Sequence, residues 1–510
     1  MQSKKLLLGI DIGTSSIKAA VFEPDGKVIS QSMQEIRVYY PAPGHVEQNP
    51  NEWWDGICRA VKDMLFKGNV KPCMIAGIGI DGQSWSAIPM DKQGKVLHNT
   101  PIWMDTRSAG ICKKEAYEPL LEKIFRISGN IFKPSYSTPK ILWFKEYKPD
   151  IFDNTYKFLQ SNSFAAYKLT GKITQDISQG YGLHVFNVHE GKWDSELCDE
   201  LGIPQEKLPQ VFNCSEVIGE VTSEAAGETG LVPGTPVVAG GLDAACGALG
   251  AGVILPGETQ EQGGQAGGMS ICLDRAISHP MLILSSHVVP RLWLLQGGTV
   301  GGSGVLEWFR RELGGFEIQI EKDTHRSIYE IIDEEAAGVD PGSGGMIFLP
   351  YMAGERSPIW DENAKGIFFG LSYDKTRAHM IRAMLEGCAY SLLHNVKTAE
   401  ETGVRVDVLN AIGGASNSNI WTQIKADVTG RKIRVSSSGT ATTLGAAILA
   451  GVGTGVYKDF NEAVARTVKL TRTHEPDMAK HEDYLKYYEI YLELYDRLKE
   501  TMKKISGFED

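Results

Sequence analysis

The sequence lacks long apolar runs. No stretch of about 18 consecutive apolar residues occurs in the 510-residue chain, so we expect no membrane-spanning helix. The apolar segment nearest the start, Leu6–Ile10, is too short for the core of a secretory signal. We therefore expect a protein without a membrane partner.

Cysteine is scarce and dispersed. The chain contains 8 cysteines, and no two of them form a CxxC pair. This pattern argues against a disulfide framework and against a zinc site, and it is typical of proteins in a reducing compartment. We therefore expect a cytoplasmic location.

Positive charge is also in deficit. The chain has 52 Lys and Arg residues against 63 Asp and Glu residues, which gives a net charge of −11. A nucleic-acid or anionic-membrane partner is therefore disfavoured. Any phosphate-bearing ligand must be held by local donors and a metal ion, not by the overall charge.

The apolar content is that of a globular protein. With 42% hydrophobic residues in 510, the chain is expected to form more than one domain. One helix is predicted in "NPNEWWDGICRAVKDML", where Asn49 is the N-cap, Pro50 the first helical residue and Glu52 the partner in a capping box. Its apolar residues repeat every four positions and predict a buried stripe: Trp53, Ile57, Val61 and Leu65.

The stretch "LLLGIDIGTSSIKAAVFEPDGKVIS", Leu6–Ser30, reads as two apolar strands joined by a polar turn. Gly13 permits a backbone path that a Cβ would obstruct. Thr14 and Ser15 bring hydroxyl and N–H groups to the turn, which suits phosphate oxygens, and Asp11 at the strand end suits Mg²⁺. An ordinary hairpin with a glycine turn remains the alternative.

A similar pattern returns near the middle of the chain. "GVILPGETQEQGGQAGGMSICLD", Gly252–Asp274, again predicts two β-segments around a glycine-rich turn, which suggests a duplicated architecture. The chain after Tyr457 is predicted to be helical. Its tyrosines recur at helical spacing and predict a packing stripe: Tyr484, Tyr487, Tyr488, Tyr491 and Tyr495.

Four further stretches, together with "HVEQNPNEWW" and "PIWMDTRS", resemble motifs of the FGGY family of carbohydrate kinases. The resemblance runs from about Leu6 to Tyr457, and several motifs in order are specific where one alone would be weak. The four stretches are "SYSTPKILWFKE" (Ser135–Glu146), "GGLDAACGALGAG" (Gly240–Gly252), "KGIFFGLSYDKTRAHMIRAMLEG" (Lys365–Gly387) and "AIGGASNSNIWTQIKADVTG" (Ala411–Gly430).

The resemblance implies an α/β fold with two ribonuclease-H-like domains, of the actin, Hsp70 and hexokinase type, which close around a central cleft. Residues 1–253 would form the sugar-binding and phosphate-loop domain, and residues 254–510 the nucleotide-binding domain with C-terminal helices. The implied activity is ATP-dependent phosphorylation of a sugar hydroxyl with Mg²⁺. The expected partners are a small sugar and ATP, without nucleic acid, and a homodimer is compatible with the family.

The resemblance also implies roles for three carboxylates. Asp243 would be the general base that receives the proton of the sugar hydroxyl; the alternative is an N-cap of the following helix. Asp11 would be the carboxylate linked to Mg²⁺. Asp81 lies where relatives often carry a neutral residue, and a role with Mg²⁺, with the sugar or as a turn cap stays open.

The implied ATP contacts lie in glycine-rich turns. In "GGQAGGMS" the chain lacks the threonine that relatives carry at this loop, so backbone N–H groups would bind the phosphate instead. In "GGTVGGSGVLEWF" the helix start suits an anion, with close packing as the alternative. The implied ATP-binding residues are Gly13, Thr14, Ser15, Gly267, Gly268, Ser303, Gly414, Asn417 and Ser418.

The segment "DGQSWSAIPMD" is expected to select the sugar. Glycerol kinases carry an Arg-Glu pair after the glutamine and typical xylulokinases carry Gly-Gln-Met-His-Gly, whereas this chain has Gln83, Ser84 and Trp85. Glycerol is therefore disfavoured. Asp105 and Arg107 would contact sugar hydroxyls or form a structural ion pair. We expect a pentulose, D-xylulose first, with another ketose, a sugar acid or a polyol as alternatives.

Two other classes of function stay open. An actin- or Hsp70-like ATPase would use the same fold without a small-substrate pocket, and the two sugar-kinase signatures argue against it. A non-catalytic sugar sensor would not need both Asp11 and Asp243, which this chain has.

Overall fold

The computed structural model describes residues 5–436 and 439–508. By its internal contacts the chain divides into two compact units. The first unit comprises the chain up to Ile254, together with Cys272–Leu294 and Thr440–Lys469. The second comprises Leu255–Ile271, Leu295–Gly439 and the chain from Leu470 onward. Each unit is built on a mixed β-sheet flanked by helices.

The strands before residue 255 are β1 Leu6–Ile12, β2 Ser16–Phe22, β3 Val28–Glu35, β4 Glu47–Gln48, β5 Ile75–Gly82, β6 Ile88–Met90, β7 Thr100–Pro101, β8 Lys157–Leu159, β9 Thr174–Asp176, β10 Phe186–Asn187, β11 Lys192–Trp193, β12 Gln210–Phe212, β13 Val217–Glu220, β14 Pro236–Val238 and β15 Gly241–Leu242. The later strands are β16 Glu258–Gly263, β17 Gly267–Leu273, β18 Ile283–Ser286, β19 Trp293–Thr299, β20 Ile347–Leu349, β21 Ile367–Phe369, β22 Val408–Ile412, β23 Lys432–Ser436 and β24 Leu470–His474.

The α-helices are α1 Pro50–Lys67, α2 Ala109–Lys114, α3 Glu118–Ser128, α4 Ser137–Tyr147, α5 Pro149–Asn154, α6 Ser161–Thr170, α7 Ser195–Leu201, α8 Ser223–Thr229, α9 Asp243–Gly250, α10 Ser303–Glu312, α11 Gly315–Thr324, α12 Ile328–Ala337, α13 Arg377–Glu400, α14 Asn419–Thr429, α15 Ala441–Gly453, α16 Phe460–Thr467 and α17 Met478–Ser506. Within residues 5–436 and 439–508, no helix is both long enough and apolar enough to cross a membrane.

The sheet of the first unit runs in the order β13-β14-β5-β1-β2-β3, with β15 also paired to β5. The predicted opening hairpin is confirmed, because β1 and β2 pair antiparallel from Leu7 opposite Phe22 to Ile12 opposite Ile17. β5 lies parallel to β1 on its other side. The carboxyl ends of β1 and β5 therefore meet at one edge of the sheet.

Helix α1 confirms the prediction made from its cap and its apolar spacing. Asn49 Oδ1 accepts from the N–H of Asn51 at 3.0 Å, and the predicted stripe is buried in the core of the first unit. The capping box with Glu52 is wrong. Glu52 instead accepts from the Tyr39 hydroxyl at 2.7 Å, and the Asn49 side chain accepts from Asn51 rather than from Glu52.

Helix α15 packs unusually close to the strands that end in Asp11 and Asp81. A Cβ placed on Gly9 would lie 1.9 Å from the carbonyl oxygen of Thr443, and one on Gly79 would lie 1.9 Å from that of Ala446. Glycine is thus required on this face of β1 and β5. Because side chains alternate along a strand, the two aspartates lie on the same face two residues further on.

In the second unit, strands follow the order β19-β17-β16-β22-β23-β24. The second predicted hairpin is confirmed by the antiparallel pairing of β16 with β17, which closes at Gly263 opposite Gly267. The predicted tyrosine stripe is confirmed as packing. In α17, Tyr484, Tyr488 and Tyr491 are buried in the hydrophobic core of this unit.

Candidate active site

Three carboxylates gather at the edge of the first sheet. The register of β1 and β5 places Asp11 opposite Asp81. Gly241 pairs with Asp81 on the other side of β5, and Asp243 follows two residues later. Lys18 lies opposite Asp11 in the hairpin, with its Nζ 3.2 Å from Asp11 Oδ2. One partly exposed cation therefore accompanies three acidic groups.

Asp243 is half-buried at the start of α9. Its alternative role as an N-cap does not fit, because Leu242 occupies that position and Asp243 is the first helical residue. Removal from water and the charge of Asp11 raise the pKa of Asp243 to about 7. The strand before it is anchored by the Ser178 hydroxyl, which accepts from Leu242 N–H at 2.9 Å.

Asp81 is fully buried. Among the described residues, no N–H or O–H donor reaches either of its carboxylate oxygens. Burial, followed by the charges of Asp11 and Asp243, raises the pKa of Asp81 well above its usual value. An unpartnered buried carboxylate is costly unless a cation or a proton accompanies it.

The described residues contain no group of three His, Cys, Asp or Glu side chains arranged to hold a metal ion. Proteins commonly hold Mg²⁺ through one or two carboxylates, with water and substrate phosphates completing its shell. Asp11 and Asp81 offer such a pair.

The turn at Gly13–Ser16 is tight, because Gly13 N–H donates to the carbonyl of Ser16 at 3.0 Å. Its Thr14 hydroxyl donates to Gln83 Oε1 at 3.2 Å and accepts from the Trp103 indole at 2.9 Å. Thr14 thus orders the turn through protein contacts. Ser15 is exposed beside it.

Gln83 is buried, and both ends of its amide are engaged. Besides accepting from Thr14, it donates to Gln48 Oε1 at 2.6 Å. Gln48 in turn donates to the carbonyl of Thr14 at 2.9 Å. The structure therefore places Gln83 in a network that joins the segment after β5 to the turn at Gly13–Ser16.

Ser84 and Trp85 belong to an aromatic group that the sequence indicated only in part. Trp85 stacks on Tyr136 with ring centroids 4.3 Å apart and lies 5.9 Å from Tyr181. Burial raises the pKa of Tyr181 well above its usual value, a hydrogen bond with the half-buried Ser84 lowers it, and the charge of Asp243 raises it. Within the described chain the indole N–H of Trp85 has no partner. This group therefore adjoins Asp243 and retains a free donor.

Asp105 and Arg107 form a fully buried ion pair. Arg107 donates through Nε and a terminal nitrogen to Asp105 at 2.8–2.9 Å, and its terminal nitrogen also lies 2.7 Å from Glu47. The second Asp105 oxygen accepts from Arg107's own backbone N–H at 3.0 Å. These contacts favour the structural alternative, and the sugar contact stays a prediction.

In the second unit, the hairpin turn packs against the start of α10. The Ser303 N–H donates to the carbonyl of Gly264 at 2.8 Å, and its hydroxyl lies 3.2 Å from that of Gly263. A Cβ on Gly267 would lie 2.6 Å from the carbonyl oxygen of Gly301. A Cβ on Gly268 would lie 3.2 Å from the carbonyl oxygen of Gly297 in β19. Close packing thus accounts for these glycines, and their phosphate contact stays a prediction.

The turn before α14 is open to solvent at Gly414 and Asn417. A Cβ on Gly414 would meet no atom within 4 Å, which leaves space for a flat ligand. Ser418 is the N-cap, accepting from Trp421 N–H at 3.0 Å and donating to Asp333 at 2.8 Å. Its hydroxyl is therefore engaged within the unit.

Comparison with known proteins agrees with the family resemblance found in the sequence. Residues 6–250 match the N-terminal domain of the FGGY family of carbohydrate kinases, and residues 274–454 match its C-terminal domain. The chain belongs to this family. It is 31% identical over 501 residues to a xylulose kinase of Staphylococcus epidermidis, with 98% of both chains covered. It is 29% identical to a gluconokinase of Bacillus licheniformis, covering 99% of this chain and 98% of that one.

A solved structure of a ligand-bound xylulose kinase from Lactobacillus acidophilus superposes on this FGGY kinase with a TM-score of 0.89 at 25% identity, covering 98% of this chain and 100% of that one. The α/β fold class with two ribonuclease-H-like units is confirmed, and so is the activity class, an ATP-using carbohydrate kinase.

Sequence reasoning missed several groups around the acidic cluster. Lys18 could have been found, because hairpin pairing places it opposite Asp11. Tyr136 and Tyr181 carry no local signal, since they approach Trp85 only through the fold. Lys140 stands in a family motif, yet its role depends on contacts with distant segments.

Proposed function

We propose that this kinase transfers the γ-phosphoryl group of ATP to a hydroxyl of a pentulose, with D-xylulose as the first candidate. The observation that carries the proposal is the Asp243 carboxylate, held half-exposed at the start of α9 with a pKa of about 7. The similarity to xylulose kinases supports the choice of acceptor.

Asp243 is suited to act as the general base. A carboxylate with a pKa near the working pH is ionised often enough to act, and basic enough to accept a hydroxyl proton as the bond to phosphorus forms. Phosphoryl transfer otherwise depends on positioning and on stabilising negative charge. Lys18, partly exposed beside Asp11, supplies positive charge next to the turn at Gly13–Ser16.

Mg²⁺ would be held by Asp11, with Asp81 as a second carboxylate. Bound there, the ion would neutralise charge on the phosphate oxygens. Asp11 presents a carboxylate at the end of β1, and the unpartnered oxygens of Asp81 favour a nearby cation. The backbone of Gly13, Thr14 and Ser15 would receive phosphate oxygens.

We propose further ATP contacts within the second unit. Gly414 and Asn417 offer an open surface for adenosine, and Ser418 orders it from the N-cap of α14. Gly267, Gly268 and Ser303 would approach the phosphates through their backbone. A cytoplasmic location and a homodimer are also part of the proposal.

A sugar acid is the second candidate, because a gluconokinase is nearly as similar as the xylulose kinases. The charge near Asp243 argues against it. Lys18 is already paired with Asp11, Arg107 is paired with Asp105, and the protons of Lys140 are used by backbone carbonyls. The carboxylate of a sugar acid would thus be repelled by the acidic groups, with no free cation to pair with it among these residues. A neutral ketose carries no charge and would not be repelled.

The test is ADP formation with a panel of acceptors. D-xylulose or another pentulose is expected to give the highest kcat/KM, with gluconate and glycerol well below it. Preference for gluconate would replace the pentulose by the second candidate. No stimulation by any sugar would reject the proposal.

Replacing Trp85 by alanine is expected to raise the KM for sugar by about tenfold or more, because the indole face and its free N–H are lost. The KM for ATP should change by less than about twofold. The matched control is Trp193→Ala, a half-buried tryptophan whose indole donates to Pro209 at 2.7 Å. Equal losses for sugar and ATP would show that Trp85 serves packing alone.

The pH dependence follows from Asp243. Because its pKa is raised to about 7, the base form is lost as pH falls through this value, and kcat/KM is expected to drop about tenfold per pH unit below it. A pH profile at saturating ATP measures this. A rate that stays constant down to about pH 5 would contradict the assignment of the base.

A further inference from the structure

Lys140 is fully buried in the first unit, on α4. Its Nζ donates to three backbone carbonyls, those of Trp85 at 2.8 Å, Ile102 at 2.7 Å and Ser135 at 2.5 Å. An ammonium group has three protons, so all of its donors are used. No proton of Lys140 is left for a ligand.

The three carbonyls belong to separate segments of the chain. Trp85 follows β5 in the sugar-selecting segment, and Ile102 follows β7 just before the buried Asp105–Arg107 pair. Ser135 precedes α4 and lies next to Tyr136, on which Trp85 stacks. Lys140 thus holds the backbone of Trp85 and the backbone next to Tyr136, the ring on which Trp85 stacks.

Trp85 needs such support. Its φ of 63° lies in the left-handed region, which costs a non-glycine residue roughly 1–2 kcal/mol. The conformation persists only where the surroundings impose it. The carbonyl bond to Lys140 and the stacking on Tyr136 are two contacts that do so.

The buried cation is itself destabilised. Removal from water lowers the pKa of Lys140 to about 7, because burial disfavours the charged form. The ammonium form therefore depends on its three carbonyl acceptors. Stability alone therefore does not explain a lysine at this position. Its three N–H donors hold three backbone carbonyls around one nitrogen atom.

We propose that Lys140 is a positioning residue for the acceptor sugar, which holds Trp85 and Ser84 in their binding conformation without touching the sugar. This inference rests on the proposed function, because that function is what places the sugar beside Trp85 and Ser84. It adds a determinant of sugar affinity that acts through the backbone.

The experiment compares Lys140→Met and the milder Lys140→Gln with wild type in steady-state kinetics. The KM for the best sugar of the panel is expected to rise about tenfold or more in Lys140→Met and less in Lys140→Gln, while the KM for ATP changes by less than about twofold. The matched control is Lys145→Met on the same helix, whose Nζ donates to the carbonyl of Gly202 at 2.8 Å and whose loss should leave both constants unchanged.

A double variant separates positioning from general stability. Glycine accepts a positive φ without strain, so in a Trp85→Gly background Lys140→Met should raise the sugar KM by much less than in wild type. Additive effects, parallel changes in both KM values, or failure of both Lys140 variants to fold would overturn the proposal. An inactive wild type would instead reject the proposed function, which the same assay shows before any variant is made.

Discussion

Asp243→Asn is expected to lower kcat by about 10²- to 10⁴-fold, the usual contribution of a general base. The amide keeps the size of the carboxylate but cannot accept the hydroxyl proton. Binding of ATP should persist, because the proposed adenosine contacts lie in the second unit, at Gly414 and Asn417. Steady-state kinetics and a nucleotide-binding titration measure the two effects.

The same substitution is expected to stabilise the folded protein above neutral pH. The pKa of Asp243 rises from 3.8 to about 7 on folding, so the native state binds more protons than the unfolded state in this window. The stability that the protonated group provides is fully present below the lower value and is lost as pH rises through the upper one. Asparagine removes this loss, so the melting temperature at about pH 8 should increase.

The control is Asp199→Asn, an exposed aspartate in α7. It should leave kcat and the melting temperature nearly unchanged. An Asp243→Asn enzyme with close to normal turnover would remove Asp243 from the mechanism. A lower melting temperature of Asp243→Asn than of wild type at about pH 8 would contradict the claim that the ionised Asp243 destabilises the native state.

Gly79→Ala is expected to lower the free energy of unfolding by about 3 kcal/mol or more. The new Cβ would lie 1.9 Å from the carbonyl oxygen of Ala446 and 2.6 Å from its carbon. These are backbone atoms of α15, so the helix itself must move. Because Asp81 follows two residues later in β5, activity should fall as well. Chemical denaturation measures the stability change.

Gly227→Ala is the matched control. Gly227 lies in α8 with no atom within 4 Å of a Cβ, so alanine should stabilise the helix by about 0.5–1 kcal/mol through its higher propensity. Equal effects of the two substitutions would show that the contact between α15 and β5 is loose. That result would also weaken the account of how the aspartates are placed.

Local features were predictable wherever one segment determines its own structure. The β1–β2 hairpin, helix α1 and the tyrosine face of α17 each follow from apolar spacing and a turn or cap within about 30 residues. The capping box did not form, because Glu52 accepts instead from Tyr39, which lies outside the motif that predicted the cap. The expected domain boundary at residues 253 and 254 stays a prediction.

The surroundings of the site could not be predicted in the same way. Lys140 and Tyr136 on one segment and Tyr181 on another contact Trp85 only through the tertiary fold. The return of Thr440–Lys469 to the first unit has no local signal either. Its trace in the first sheet is the pair Gly9 and Gly79, which α15 contacts closely. The resemblance to the family predicted Asp243 as a site residue. The structure identified burial and Asp11 as the causes of its raised pKa.

The central claim, transfer of phosphate to a sugar hydroxyl, is tested most directly by following the γ-phosphate of ATP by ³¹P nuclear magnetic resonance with D-xylulose present. We expect one sugar phosphate for each ADP formed, with little inorganic phosphate and little turnover when the sugar is omitted. Release of inorganic phosphate at the same rate with and without sugar would contradict it, and would make the protein an ATPase of the actin and Hsp70 type.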